Sequence, residues 1–279
     1  MEIQWMLVLY SLFMGLSIGP FALLALTDAC EKRPALCKWA SLVGLSCIIL
    51  AGIAAFAHLL KPLAAINIFN NLASPMARET VFVLLTGVVA AALAVMNLFN
   101  WLPGLRRMLA WFGLVLAVIS VILIATIYLL PARPAWNSWL LPITLLTSSL
   151  INGLLLAWLL VAIVPKQGDE TGLMELAAKL RSWALPVFAV YAIVTVVFFL
   201  MAASQTGGIT RLLVGDLALL FWLGLILVGL AAPAALIWLG KKDPKASALA
   251  AFLLVAIGGL VVRAMLFPIG VRIPITSLW

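Results

Sequence analysis

Long unbroken apolar runs alternate along this chain with short polar stretches rich in proline and glycine. A helix that crosses a bilayer needs about 20 predominantly apolar residues. Eight stretches meet that requirement: Trp5–Thr27, Trp39–Leu60, Glu79–Phe99, Met108–Leu130, Ser138–Val164, Arg181–Ala203, Leu212–Leu239 and Ala246–Phe267. The runs are continuous instead of alternating with a period of two, which excludes the strands of a membrane barrel. The pattern predicts an all-α integral membrane protein of eight transmembrane helices in a single domain, with four plus four helices as a natural subdivision. An even number of spans puts both termini on one side. Proline and glycine mark the ends, as at Ser74-Pro75, Pro103-Gly104 and Asp243-Pro244, whereas Pro20, Pro142, Pro186 and Pro233 fall inside spans, where neighbouring helices tolerate them.

Composition agrees. Of the 279 residues, 66% are apolar and 9% charged, against roughly 45–50% and about 25% in soluble domains. No soluble nucleotide-binding or redox domain fits between the spans, and the first span is too long for a signal-peptide core. The basic residues fix an orientation, because Lys and Arg in short loops stay on the cytoplasmic side. Of the 17, eleven fall in the loops after spans one, three, five and seven, and five on the opposite side. The termini and the loops after spans two, four and six are therefore expected outside, in the periplasm of a bacterial inner membrane. The net charge of +8 reads as topology and contact with anionic lipid, with no nucleic-acid partner implied. Cys30, Cys37 and Cys47 suit small apolar packing rather than a disulfide framework or a CxxC motif.

Ionisable residues near or within spans are scarce and are functional candidates by default. His58, Arg78, Glu79, Asp216 and Arg263 all approach the predicted outer interface. His58 is the only histidine, which excludes a bis-histidine haem held by this chain alone. No metal site or iron–sulfur ligand set is present either. An imidazole there either caps a helix end or accepts a hydrogen bond and a proton. Leu63, Ile66, Phe69 and Leu72 recur at helical spacing, predicting a short interfacial helix between spans two and three, with Asn67 and Asn70 sharing a side. Ser74-Pro75 reads as an N-cap and first-turn proline that launch span three. Arg78 and Glu79 are adjacent and so face apart. Arg263 either snorkels or serves a site, and Asp216 is expected to pair with Arg211 or Arg263.

The run H-L-x-x-P-L-x-A-x-N-x-x-N from His58, then S-P-x-x-x-E through Glu79, resembles the membrane-anchor subunits of the dimethyl sulfoxide reductase type (DmsC-like), within the wider NrfD and polysulfide reductase membrane-subunit group. Ile127-Tyr128 with Pro134-Ala135-Trp136-Asn137, and Gly258-Gly259-Leu260-Val261-Val262-Arg263 with Leu266-Phe267, extend the resemblance to essentially the whole chain. The chain departs from the family's pattern at Leu60 and Ala64, where glycine and arginine are common. The resemblance implies an anchor that oxidises menaquinol for anaerobic respiration and passes electrons to an iron–sulfur subunit and a molybdopterin catalytic subunit. It assigns quinol binding to His58 and Glu79, and Arg78, Asn67 and Arg263 are the neighbours expected to orient the headgroup or balance Glu79. The opposing class is a small-molecule or ion transporter, which would place its polar groups at the midplane.

Overall fold

In the computed structural model of the chain, the described residues are 3–26, 33–59, 61–165, 170–206, 208–239 and 244–270. Among them, eight helices are long and apolar enough to cross a membrane. The first, α1, occupies Trp5–Leu26 as two pieces, Trp5–Leu16 and Ile18–Leu26. It is followed by α2 (Pro34–Ala57), α3 (Pro75–Leu98), α4 (Pro103–Thr126), α5 (Leu140–Ile163) and α6 (Glu170–Gln205). Next, α7 runs as a π-helix over Leu220–Ala231 and an α-helix over Ala232–Leu239, and α8 spans Pro244–Ile269. A 3₁₀ helix, Pro62–Asn70, joins α2 to α3, and a short α-helix, Ile209–Leu213, lies between α6 and α7.

Local chemistry explains most of the boundaries. Pro34, Pro75 and Pro103 each open a helix, because proline at the first position gives up only an N–H that has no intrahelical acceptor. Ser74 completes the start of α3 by accepting from the Ala77 N–H at 3.1 Å. The break in α1 falls at Ser17, three residues before Pro20. Proline cannot donate to the carbonyl four residues back and crowds it, so the turn around Leu16 and Ser17 opens. Two expectations move. Span six begins at Glu170 and not near Arg181, since a polar first stretch concealed three extra turns. Span seven begins at Leu220 and not at Leu212, because Ile209–Leu213 forms a separate short helix.

The interior belongs to α1 and α5. Over their apolar windows 78% and 72% of residues are buried, against 33–50% for the other six helices. Helix α1 packs on α2, α4, α5 and α8, while α5 packs on α6 and α8 as well. Most other packing joins helices consecutive in sequence, chiefly α2 with α3, α3 with α4 and α7 with α8. The central crossing depends on small residues. A Cβ on Gly19 would collide with the Gly153 carbonyl, and one on Gly15 with the Ser149 side chain. Gly15-x-x-x-Gly19 on α1 thus meets Ser149-x-x-x-Gly153 on α5, a close approach that in lipid substitutes for a hydrophobic driving force. Gly229 on α7 and Gly258 on α8 approach in the same way. Cys47 is buried and free, as apolar packing requires. Cys37 instead carries a disulfide, contrary to expectation, and Cys30 lies outside the described residues.

Candidate functional site

A cavity of about 510 Å³ lies where α1, α2, α3, the 3₁₀ helix and the end of α4 converge. Its lining is mostly aliphatic and aromatic. The exceptions are His58, Glu79, Tyr10, Tyr128 and Thr80. Phe56, Ile66, Met76 and Leu84 line it yet are themselves more than half exposed on the outside of the bundle. The cavity therefore opens sideways, between α2, the 3₁₀ helix and α3.

Each polar group is set in place by its helix. His58 follows the last residue of α2, and its Nδ1 lies 3.1 Å from the Ala55 carbonyl oxygen. A carbonyl only accepts, so Nδ1 carries the hydrogen and Nε2 of the neutral ring is left as the acceptor. Glu79 stands in the second turn of α3, placed by the Ser74-Pro75 start. Tyr10, on α1, donates to Glu79 Oε1 at 2.5 Å and is only 8% exposed. Tyr128 packs its ring edge-on to Trp136 at 5.4 Å between centroids. Trp136 is fixed in turn by a 2.7 Å bond from Nε1 to the Leu266 carbonyl and by the Arg133 guanidinium 4.1 Å over its ring. Thr80 donates to the Met76 carbonyl within its own helix and has no donor left for a ligand.

The fold thus brings His58 and Glu79 into one cavity and leaves the other three candidates out of its lining. Arg78 points away from Glu79, is exposed, and donates to the Ala73 carbonyl at 3.0 Å. Asn67 is exposed on the 3₁₀ helix between Ile66 and Ile68, which do line the cavity. Arg263 is 2% exposed inside the bundle. Its Nε donates to Ser11 Oγ, Nη1 to Ser148 Oγ and the Gly259 carbonyl, and Nη2 to Ser149 Oγ and the Ser11 carbonyl, at 3.0–3.4 Å. It does not snorkel; it pins α8 to α1 and α5. Asp216 pairs with Arg211, through two bonds of 3.0 and 2.6 Å on the surface. The Arg211 hydrogen bonds hold the Asp216 carboxyl below its ordinary range.

Tyr10 and Tyr128 are the site residues that the sequence did not disclose. One available signal was their rarity, since the chain has only three tyrosines, and a tyrosine inside an apolar span needs a partner for its hydroxyl. No group of three or more metal-ligating side chains occurs among the described residues.

The chain matches the family described as DMSO reductase anchor subunit (DmsC) over residues 1–269. A search of curated proteins finds no match. The family match spans every helix that builds the cavity and the Arg263 junction, and it implies association with catalytic and electron-transfer subunits. With its eight apolar helices, the chain is a multi-pass membrane protein belonging to the DmsC family of dimethyl sulfoxide reductase anchor subunits.

Proposed function

We propose that the chain oxidises menaquinol in the cavity beside His58 and Glu79 and passes the electrons to an iron–sulfur partner, which feeds a molybdopterin catalytic subunit. The observation that carries this reading is one cavity of about 510 Å³ in which two hydrogen-bond acceptors face a largely apolar volume open on the side of the bundle. Such a volume suits a flat ring that carries hydroxyls at its edge and enters from the bilayer with an apolar tail. Oxidation of a quinol to the quinone releases two electrons and two protons. Neutral His58 accepts one hydroxyl hydrogen at Nε2, Glu79 accepts at the other edge, and both protons pass to the water beyond the 3₁₀ helix. In this reading the electrons leave to the partner's cluster.

The excess of basic residues in alternate loops supports a periplasmic setting, at the inner membrane, for this end of the bundle and both termini. The 3₁₀ helix then lies at the interface, with Ile66 and Phe69 toward the apolar side. In this arrangement Asn67 and Arg78, exposed on the two elements that frame the opening, meet a headgroup on entry. Arg263 acts from behind the wall by fixing α1, which carries Tyr10.

The test uses the complex assembled with its soluble subunits and a short-chain naphthoquinol whose oxidation is followed by absorbance. His58→Gln and Glu79→Gln are expected to lower turnover at least tenfold, within the range of about 10²–10⁴ that one positioned acid or base contributes. Copurification of the subunits should be unchanged. Wild-type turnover in both variants, with assembly intact, would overturn the assignment.

A further inference from the structure

The polar lining of the cavity is lopsided. Tyr10 is the group that donates a hydrogen bond to Glu79, and it does so at 2.5 Å. A phenol O–H has one hydrogen, so this bond commits the Tyr10 donor entirely. It also occupies Oε1 of Glu79 and leaves Oε2 as the carboxylate's open acceptor. His58 is oriented to the same effect, because its Nδ1 hydrogen is engaged by the Ala55 carbonyl and Nε2 remains as a lone pair. Thr80 Oγ1 is turned back on the Met76 carbonyl. Of the five polar side chains that line the cavity, Tyr10, His58 and Thr80 have spent their donors on protein, His58 Nε2 and Glu79 Oε2 stand as open acceptors, and the Tyr128 hydroxyl can serve either way.

An acceptor-rich wall discriminates between the two redox forms of a quinone. The reduced form carries two O–H donors, and the oxidised form carries two carbonyls that only accept. Lone pairs on the ligand facing Glu79 Oε2 and His58 Nε2 repel, and desolvating those groups without a donor to meet them is costly. The discrimination depends on Glu79 staying an acceptor. A carboxyl group that takes up a proton becomes a donor through one oxygen, and it then matches the oxidised form equally well. Donation from Tyr10 is strongest when Glu79 carries its charge, so the bond from α1 favours the charged, accepting form of the carboxylate.

We propose that Tyr10 is a specificity-determining residue that, through its hydrogen bond to Glu79, makes the cavity select the reduced, hydroxyl-bearing form of its ligand over the oxidised, carbonyl-bearing form. The inference rests on the quinol reading of the cavity and adds what that reading leaves open, namely which redox state the site prefers and which residue sets the preference. Tyr10 acts through Glu79 and is a positioning residue. Its ring is buried, and phenylalanine preserves that packing while removing only the donor. Selection of this kind serves turnover, because product that binds more weakly than substrate leaves the cavity before the next quinol arrives.

The experiment measures a ratio of affinities in the full chain, embedded in nanodiscs, for a short-chain naphthoquinol kept reduced and for the matching naphthoquinone, each titrated by calorimetry. The wild-type chain is expected to bind the quinol at least tenfold more tightly than the quinone. In Tyr10→Phe the ratio should fall to within threefold of unity, chiefly by tighter quinone binding, with the unfolding temperature little changed. Loss of a ring contact alone would weaken both ligands together and leave the ratio intact. The double variant Tyr10→Phe with Glu79→Gln checks the route, since a residue acting through Glu79 changes the ratio no further once Glu79 is already an amide. A wild-type ratio retained in Tyr10→Phe, or a further change of the ratio in the double variant, overturns the proposal while the quinol site stands. Wild-type affinity for both ligands in His58→Gln and Glu79→Gln overturns the quinol reading itself. If Tyr10→Phe does not accumulate, the Glu79→Gln ratio decides, because an unchanged tenfold preference there removes Glu79 from the selection.

Discussion

Two polar clusters sit side by side in the same half of the bundle, and consecutive residues of α1 serve them. Tyr10 reaches Glu79 at the cavity, while Ser11 receives two bonds from Arg263 in the helix junction. Arg263 has five N–H donors, and all five are matched to oxygens of α1, α5 and α8. Nothing is left over for a ligand. Glu79 and His58 retain acceptor capacity beside about 510 Å³ of open volume. Charge inside an apolar span does not by itself identify a functional site, although scarcity invites that inference. Spare hydrogen-bonding capacity next to space distinguishes the proposed ligand site from the structural junction.

The largest effect that bears on this contrast is expected at Arg263. Arg263→Ala leaves three helices without their shared donor and opens a cavity among Ser11, Ser148 and Ser149. The combined loss is estimated at about 3–5 kcal/mol, in the range of large-to-small substitutions at buried sites. The protein should accumulate poorly in membranes, and what is purified should unfold at a markedly lower temperature. An Arg263→Ala chain that keeps its wild-type unfolding temperature but loses naphthoquinol affinity would invert the contrast and make Arg263 a ligand residue.

The reverse pattern is expected at the cavity. Glu79→Gln keeps the shape and one acceptor oxygen for Tyr10, so stability should change by no more than about 1 kcal/mol, the net worth of a typical hydrogen bond. Quinol-dependent turnover should fall at least tenfold. Measured together, thermal unfolding and turnover place each variant on one axis or the other. A variant of the cavity that loses both equally, or neither, blurs the distinction.

How much of this was legible in the sequence follows from the range of the interactions involved. The eight spans were readable because bilayer thickness imposes length and hydropathy on each helix independently. The start at Pro75 was readable because an N-cap and first-turn proline act locally, whereas span four, expected from Met108, begins five residues earlier at Pro103. The polar opening of α6 at Glu170 escaped, since a helix that leaves the apolar window no longer carries the hydropathy signal. His58 and Glu79 were found through chemistry and resemblance. Tyr10 was not, because its contact with Glu79 joins residues 69 positions apart, and no local pattern encodes that distance. Arg263 was singled out for its charge, but its role depends on Ser148 and Ser149 from another helix. The Gly15-x-x-x-Gly19 crossing was present in the text of the sequence and lacked only its partner, Ser149-x-x-x-Gly153.

Thr195 on α6 offers a finer test of what a buried polar group without a partner contributes. Its hydroxyl is fully buried and finds no hydrogen-bond partner. Without a partner, this hydroxyl contributes nothing and its burial is a cost. Thr195→Val, nearly identical in shape, is then expected to be neutral or to stabilise by up to about 1 kcal/mol, read as an unchanged or slightly raised unfolding temperature. A clear destabilisation would reveal a polar contact that this hydroxyl makes.

The smallest effect is expected at the surface pair of Arg211 and Asp216, whose side chains are 46% and 59% exposed. Exposed pairs are screened by water and salt and hold a fold together only weakly. Arg211 depresses the Asp216 carboxyl in the folded chain, so the folded state binds a proton there less readily than the unfolded state. The pair's contribution is therefore fully present above the ordinary carboxylate range and is lost as pH falls through the lower, folded value. Asp216→Asn should leave both turnover and quinol affinity at wild-type levels. Any difference in unfolding temperature between Asp216→Asn and the wild-type chain should be confined to near-neutral pH and low salt, shrinking to nothing on acidification and in high salt. A difference that survives both treatments would mean that Asp216, like Arg263, is part of the architecture, and that exposure alone does not separate structural charges from idle ones.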